Sequence, residues 1–263
     1  MTMLPATISP ELVSRRRSKW LSPSILLFVP FALLRLGDVQ ASTEDPPLRV
    51  RVQAYTEALC IDCFHFVLED LIPTYQLLGD EIIDLELVPF GNAQIVDKQS
   101  RTIQCQHGDA ECDANSWEQC AIYVTKHNLD GIHTSYHGSS SQLNTGTSPS
   151  PTELILNYFS CLESALPMGR KDEPFARNTF LDCATPSGRN MESIDRKRLE
   201  ECHDNPLLSW NLQLQAAHET PEDHTFVPWV IVNGKFMDPD NERLLHRVCE
   251  EYKAGGGVHP GCS

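Results

Sequence analysis

The sequence predicts an α/β fold with a disulfide-stapled helical insertion. Three observations lead there. Patterns of strand, helix and strand follow one another between residues 48 and 90. The next stretch, about 95–225, carries helical patterns and six of the ten cysteines. An apolar run, an Asn-Gly turn and a last helix then close the chain.

The first 41 of the 263 residues are expected to be a secretory signal peptide. Arg15, Arg16, Arg17 and Lys19 form a basic start, and Leu21 to Leu34 is a short apolar stretch interrupted by Pro23 and Pro30. Val39-Gln40-Ala41 fits a small-residue cleavage site. The apolar stretch is too short for a comfortable membrane span. No later segment is long and apolar enough, so no span is expected after cleavage. Residues 42–263 are then one domain. The net charge of −15 becomes −18 without the first 41 residues, from 16 basic and 34 acidic side chains. No basic patch remains, which argues against a nucleic-acid partner.

Leu48 to Tyr55 alternates apolar and polar residues, the period of a half-buried strand. Phe64, Val67, Leu68, Leu71 and Ile72 recur at helical spacing, predicting a helix over 64–78. Pro73 lacks an N–H and should kink or end it. Glu81 to Phe90 reads as the second strand, with a turn at Gly91-Asn92. Strand, helix and strand imply a right-handed crossover and parallel pairing. Within the insertion, helical patterns run from Glu111 to His127, Thr152 to Leu166 and Ile194 to Glu201. Residues 138–151 form a loop rich in Ser, Gly and Pro. Phe226 to Val232 is a strand, Asn233-Gly234 a hairpin turn, and Lys235 to Met237 the returning strand. Asp240 is the expected cap of a helix reaching Tyr252, and Gly255 to Gly257 its end. This is the layout of a thioredoxin-like domain.

Cys60 and Cys63 fall where the first strand gives way to the first helix. There, unpaired N–H groups and the helix dipole stabilise a thiolate. Cys60, at the helix start, is the candidate nucleophile. Cys63, one turn further in, is the candidate resolving thiol. Asp62 opposes a thiolate unless its carboxylate points to solvent, and protonated His65 could offset it. In a thioredoxin-like site a cis-proline faces the dithiol, and the residue before it pairs with an incoming peptide. Val227 and Pro228 are the candidates for that substrate-binding edge. Phe64, Trp229 and Ile231 are candidates to meet apolar substrate segments, or to be core. A locked structural disulfide at 60–63 is the competing reading. A metal site is not expected, because Cys105, His107, Cys112 and Cys120 lack zinc-ligand spacing.

The other eight cysteines are Cys105, Cys112, Cys120, Cys161, Cys183, Cys202, Cys249 and Cys262. An even number in a secreted chain implies structural bridges, although eight cysteines allow about 105 pairings.

Residues 105–120 read CQHGDAECDANSWEQC. This segment resembles the signature of the gamma-interferon-inducible lysosomal thiol reductase family, matched at Cys105, Gln106, His107, Gly108, Glu111, Cys112, Asn115 and Cys120. The segments Leu87 to Ala93 and Val227 to Lys235 also look like the family's. The resemblance implies a thioredoxin-like fold and reduction of protein disulfides, often at acidic pH in lysosomes. Cys60 and Cys63 would be the redox pair and Pro228 the cis-proline. No bound cofactor is implied, only an external small-thiol reductant. The implied partners are disulfide-bonded, unfolded proteins. A role for His107 in proton transfer and a structural role for its segment both stand open. No Asn-x-Ser/Thr site is present, as Asn115, Asn144 and Asn178 all fail at the third position. Delivery through a glycan tag is therefore not implied. The expected location is the secretory pathway, ending in a lysosome, a vacuole or outside the cell. Two other functions fit the same residues: a disulfide oxidase or isomerase, and a non-catalytic, disulfide-stapled binding protein.

Overall fold

A computed structural model describes residues 48–127, 149–166, 175–185 and 193–263. The expected signal at 1–41 lies outside the described residues, as do 42–47 and most of the run 138–151.

The centre of the fold is strand β1, Val50–Thr56. Its first residues alternate between buried and open, as the period-2 pattern requires, and its last three are all buried. It pairs in parallel with β2, Ile83–Pro89, placing Val52 against Leu85 and Ala54 against Leu87. On its other side it pairs antiparallel with β5, Trp229–Val232. β5 turns through Asn233 and Gly234, both with positive φ, into β6, Lys235–Met237. The sheet order is β2-β1-β5-β6. The strand-to-strand crossover runs through α1 (Ile61–Phe66), one π turn (Val67–Leu71) and α2 (Ile72–Ile82). Pro73 does not end the helix. The wide π turn comes immediately before it, and Pro73 occupies the first turn of α2, where a missing N–H is tolerated.

One face of the sheet, with Val52, Ala54, Ile83, Val230 and Val232, joins the main apolar core. On the other, Tyr55, Val88, Trp229 and Ile231 pack with Ala216 and with a hairpin absent from the sequence reading. That hairpin is β3 (Gln94–Asp97) and β4 (Thr102–Gln104). The insertion therefore begins with β structure, too short and polar to show a period. Among the described residues five helices follow: α3 (Asp109–His127), α4 (Pro151–Ala165), α5 (Arg177–Ala184), α6 (Arg196–His203) and α7 (Pro206–Glu219). Of these, α5 and α7 had no counterpart in the sequence patterns.

Trp117 of α3 organises the helical layer. It stacks on Phe180 of α5 and on His203 of α6, at centroid distances of 5.1 and 3.8 Å. Disulfides tie α3 to α6 (Cys120–Cys202) and α4 to α5 (Cys161–Cys183). Two buried carboxyls also lie in this layer, Glu118 on α3 and Glu163 on α4. Burial pushes Glu163 up to about 8, and burial with Glu163 beside it raises Glu118 strongly. Both are neutral in acid. Their contribution to stability is complete below the ordinary carboxyl range and, for Glu163, is lost as pH rises through about 8.

The last helix, α8, spans Leu244–Ala254. Asp240 does not cap it. The buried Asp70 of the π turn does so from a distance, its Oδ2 accepting the Leu244 N–H at 3.0 Å. Cys249 and Cys262 then bond the end of the chain to α8.

Candidate active site

Three buried residues, Glu57, Ala58 and Leu59, lead from β1 to Cys60. Leu59 has φ 67, a left-handed conformation that costs an L residue roughly 1–2 kcal/mol. Partners hold the loop there: the Ala58 N–H donates to Asn115 Oδ1 at 2.8 Å. Cys60 is the N-cap of α1, and its Sγ accepts the Cys63 N–H at 3.2 Å. A sulfur thus takes the place usually filled by a Ser or Asp oxygen.

Cys60 and Cys63 are the free cysteines of the described residues, 7% and 0% exposed. The Cys60 thiol is held below the usual range. Its hydrogen bond with the Cys63 side chain contributes most, and the Cys63 and Asp62 backbone amides add to it; burial and Glu57 oppose. The Cys63 thiol is pushed far above the usual range by burial first, then by its bond to Cys60. The two sulfurs are therefore unequal: one is ready to ionise and the other is protected. Asp62 assists Cys60 through its amide while its side chain is exposed. His65 is turned to Glu69, 3.0 Å away on the exposed helix surface.

Val227 joins this pair. Its carbonyl lies 3.8 Å from Cys60 Sγ, and its peptide bond to Pro228 is cis. The structure brings Cys60, Cys63, Val227 and Pro228 to one place from the two ends of the chain. Next to them Phe226, Trp229 and Phe236 form an aromatic cluster, with centroid separations of 4.1 to 6.1 Å. Phe226 and Phe236 are exposed, and Phe64, Trp229 and Ile231 are half-buried. A cleft of about 200 Å³ opens beside Pro228, lined also by Asp62, Asp240 and Arg243.

Residues 51–187 match the family model described as gamma interferon inducible lysosomal thiol reductase. The chain belongs to that family. It is 32% identical over 209 residues to the mouse (Mus musculus) gamma-interferon-inducible lysosomal thiol reductase, covering 79% of this chain and 69% of that protein. Against the Carassius auratus protein of the same name, identity is 29% over 209 residues, covering 78% and 69%. Its fold is similar to that of Mtb DsbA in the oxidised form, with TM-score 0.52 and 15% identity over 85% of this chain and 90% of that one. The protein is a thiol-disulfide oxidoreductase with a thioredoxin-like fold.

The family signature lies against this site. Cys105 and Cys112 are bonded to each other and close the turn into α3, so neither is available as a metal ligand. Cys120 is bonded to α6. The polar members face the strand ends. Asn115 holds Ala58, and Gln119, in the same segment but outside the matched signature positions, donates from its side chain to the Pro89 carbonyl at 2.6 Å. His107 Nδ1 is 2.8 Å from Glu111 Oε2 and 3.6 Å from Glu57 Oε1. The Asn92 N–H donates to Glu57 Oε2 at 2.7 Å. Gly91, with φ 57, lets that turn approach, since a Cβ there would collide with the Glu57 side chain. Glu57, His107 and Glu111 place three ligand-type atoms within 4.8 Å of one another, a grouping among the described residues that could hold a metal.

Sequence reasoning passed over Glu57, Glu111, Asn115 and Gln119 as site residues. A signal was present for three of them. Glu111, Asn115 and Gln119 recur every four residues, so they form one polar stripe down α3.

Proposed function

We propose that Cys60 and Cys63 form the dithiol with which this enzyme reduces protein disulfides. The observation that carries this reading is the Cys60 sulfur itself. It caps α1, accepts the Cys63 amide, is held below the usual thiol range, and lies 3.8 Å from the Val227 carbonyl. The Cys60 thiolate attacks one substrate sulfur, forming a mixed disulfide, and the other substrate sulfur leaves as a thiolate and takes a proton. Cys63 then bonds to Cys60 and releases the second substrate thiol. The substrate gains two electrons and the dithiol is left as a disulfide. Two equivalents of an external small thiol restore it, so the reaction needs no bound cofactor.

Val227 and Pro228 supply the backbone edge on which the substrate chain lies. The exposed rings of Phe226 and Phe236 favour apolar segments of the kind an unfolded protein offers. No helix of the described residues is long and apolar enough to cross a membrane. Residues 1–41 act as a secretory signal and 42–263 as the reductase domain, working in a lysosome, a vacuole or outside the cell. The eight bridged cysteines keep the scaffold closed in that setting.

A second direction, substrate oxidation, has one observation in its favour. Stabilising the Cys60 thiolate stabilises the reduced dithiol, which makes its disulfide more oxidising. Equilibration of the pair against glutathione buffers separates the two. The expected result is a potential low enough for the reduced pair to reduce protein disulfides in a thiol-rich buffer. A pair that stays reduced in that buffer, and whose disulfide form takes two electrons from added substrate thiols and becomes the dithiol, would reverse the direction.

A further inference from the structure

We propose that His107 and Glu111 are positioning residues for the dithiol, acting through the carboxyl group of Glu57. The proposal rests on the reading of Cys60 and Cys63 as the reacting pair.

The polar stripe on α3 is almost wholly buried: Glu111 is 0% exposed, Asn115 1% and Gln119 5%. Burying such groups costs free energy unless each has a partner. A helix serving only as scaffold would carry apolar residues there. Asn115 instead reaches the loop that leads to Cys60, where it binds Ala58, and Gln119 the end of β2, where it binds Pro89. Glu111 binds His107 through both its ring nitrogen and its backbone N–H, and the ring is turned to Glu57.

Glu57 stands three residues before Cys60. The charged and titratable groups facing it are Glu111 from α3, His107 from the turn before α3, and the two thiols at the start of α1. Burial first and then Glu111 raise Glu57, the Asn92 amide and His107 pull it back, and together they leave it pushed up to about 7. Ionised Glu57 raises both Cys60 and Cys63. In acid the Glu57 carboxyl is neutral and leaves the Cys60 thiolate unopposed. As pH rises through about 7 it ionises and disfavours that thiolate. The signature segment thus sets the charge beside the dithiol and fits it to acidic surroundings.

The test reads Cys60 alone, in the full chain carrying Cys63→Ser, by its rate of alkylation with iodoacetamide across pH. The parent profile should carry an extra inflection near 7, where Glu57 ionises. Glu57→Gln should remove it and lower the Cys60 midpoint by about one pH unit, up to roughly tenfold in rate between the two midpoints. His107→Gln should move the inflection to higher pH, because the group that favours ionised Glu57 is gone. In the Glu57→Gln background, His107→Gln should add no shift. A purely structural role for the segment predicts melting-temperature changes with superimposable profiles, and that outcome overturns the proposal. Should Glu57→Gln not fold, the direction of the His107→Gln shift decides alone. A profile that changes on adding EDTA or zinc also overturns it, since the cluster would then hold a cation. Failure of the dithiol reading is read in the chain that keeps Cys63, because that side chain lowers Cys60 most: there Cys60 would alkylate like an ordinary thiol.

Discussion

Cys60→Ser is expected to lower kcat/KM for a disulfide substrate by a thousandfold or more, an order of magnitude set by the loss of a covalent nucleophile. The size of the effect follows from the asymmetry of the two sulfurs. Cys63 cannot take over, because it is fully buried and its thiol is raised far above the usual range. Serine keeps the shape of the site and is itself a favoured N-cap, so α1 should survive the exchange. The melting temperature should therefore stay close to that of the parent while turnover disappears. A variant that unfolds would say nothing about chemistry, which makes the melt a required companion measurement. Retention of full turnover in folded Cys60→Ser would remove the site.

Breaking the Cys120–Cys202 bridge should cost the most stability of any single disulfide. The two cysteines are 82 residues apart, against 22, 13 and 7 for the others. In the chain-entropy account an 82-residue loop corresponds to about 4–5 kcal/mol, and a 13-residue loop to about 3. Both sulfurs are buried beside the Trp117 stack, so replacement by alanine also leaves poorly filled space. Cys120→Ala/Cys202→Ala should accordingly melt well below Cys249→Ala/Cys262→Ala. The helical layer also bears on the site, because Asn115 lies little more than one turn from Cys120 and holds the loop at Ala58. The first pair should thus lose activity near its melting range sooner than the second. Equal denaturant midpoints for the two double variants would contradict this assignment of the scaffold.

The parts of the fold legible in the sequence are those with a strong local period. β1 and β2, the Asn233-Gly234 hairpin and α3 all fall within a few residues of their predicted places, because alternation, turn chemistry and helical spacing are local. The β3–β4 hairpin was not legible: its strands are four and three residues long and mostly exposed, too short to show a period. The start of α8 depends on Asp70, 174 residues earlier, and no local signal at Asp240 competes with that contact. The disulfide pairing was also beyond reach, since the two cysteines of α3 bond in different directions. At the site, Cys60, Cys63, Val227 and Pro228 stood out by residue type. Glu57 did not. A glutamate at the end of a strand reads as an exposed charge until the fold folds Asn92, His107 and Glu111 around it.

The central claim is that Cys60 attacks and Cys63 resolves. Trapping tests it most directly: Cys63→Ser is incubated with a disulfide-bonded protein, quenched with acid, and separated without reductant. The account predicts a mixed disulfide, stable until thiol is added, that maps by mass spectrometry to Cys60. Absence of the adduct, or its mapping to any cysteine other than Cys60, would contradict it.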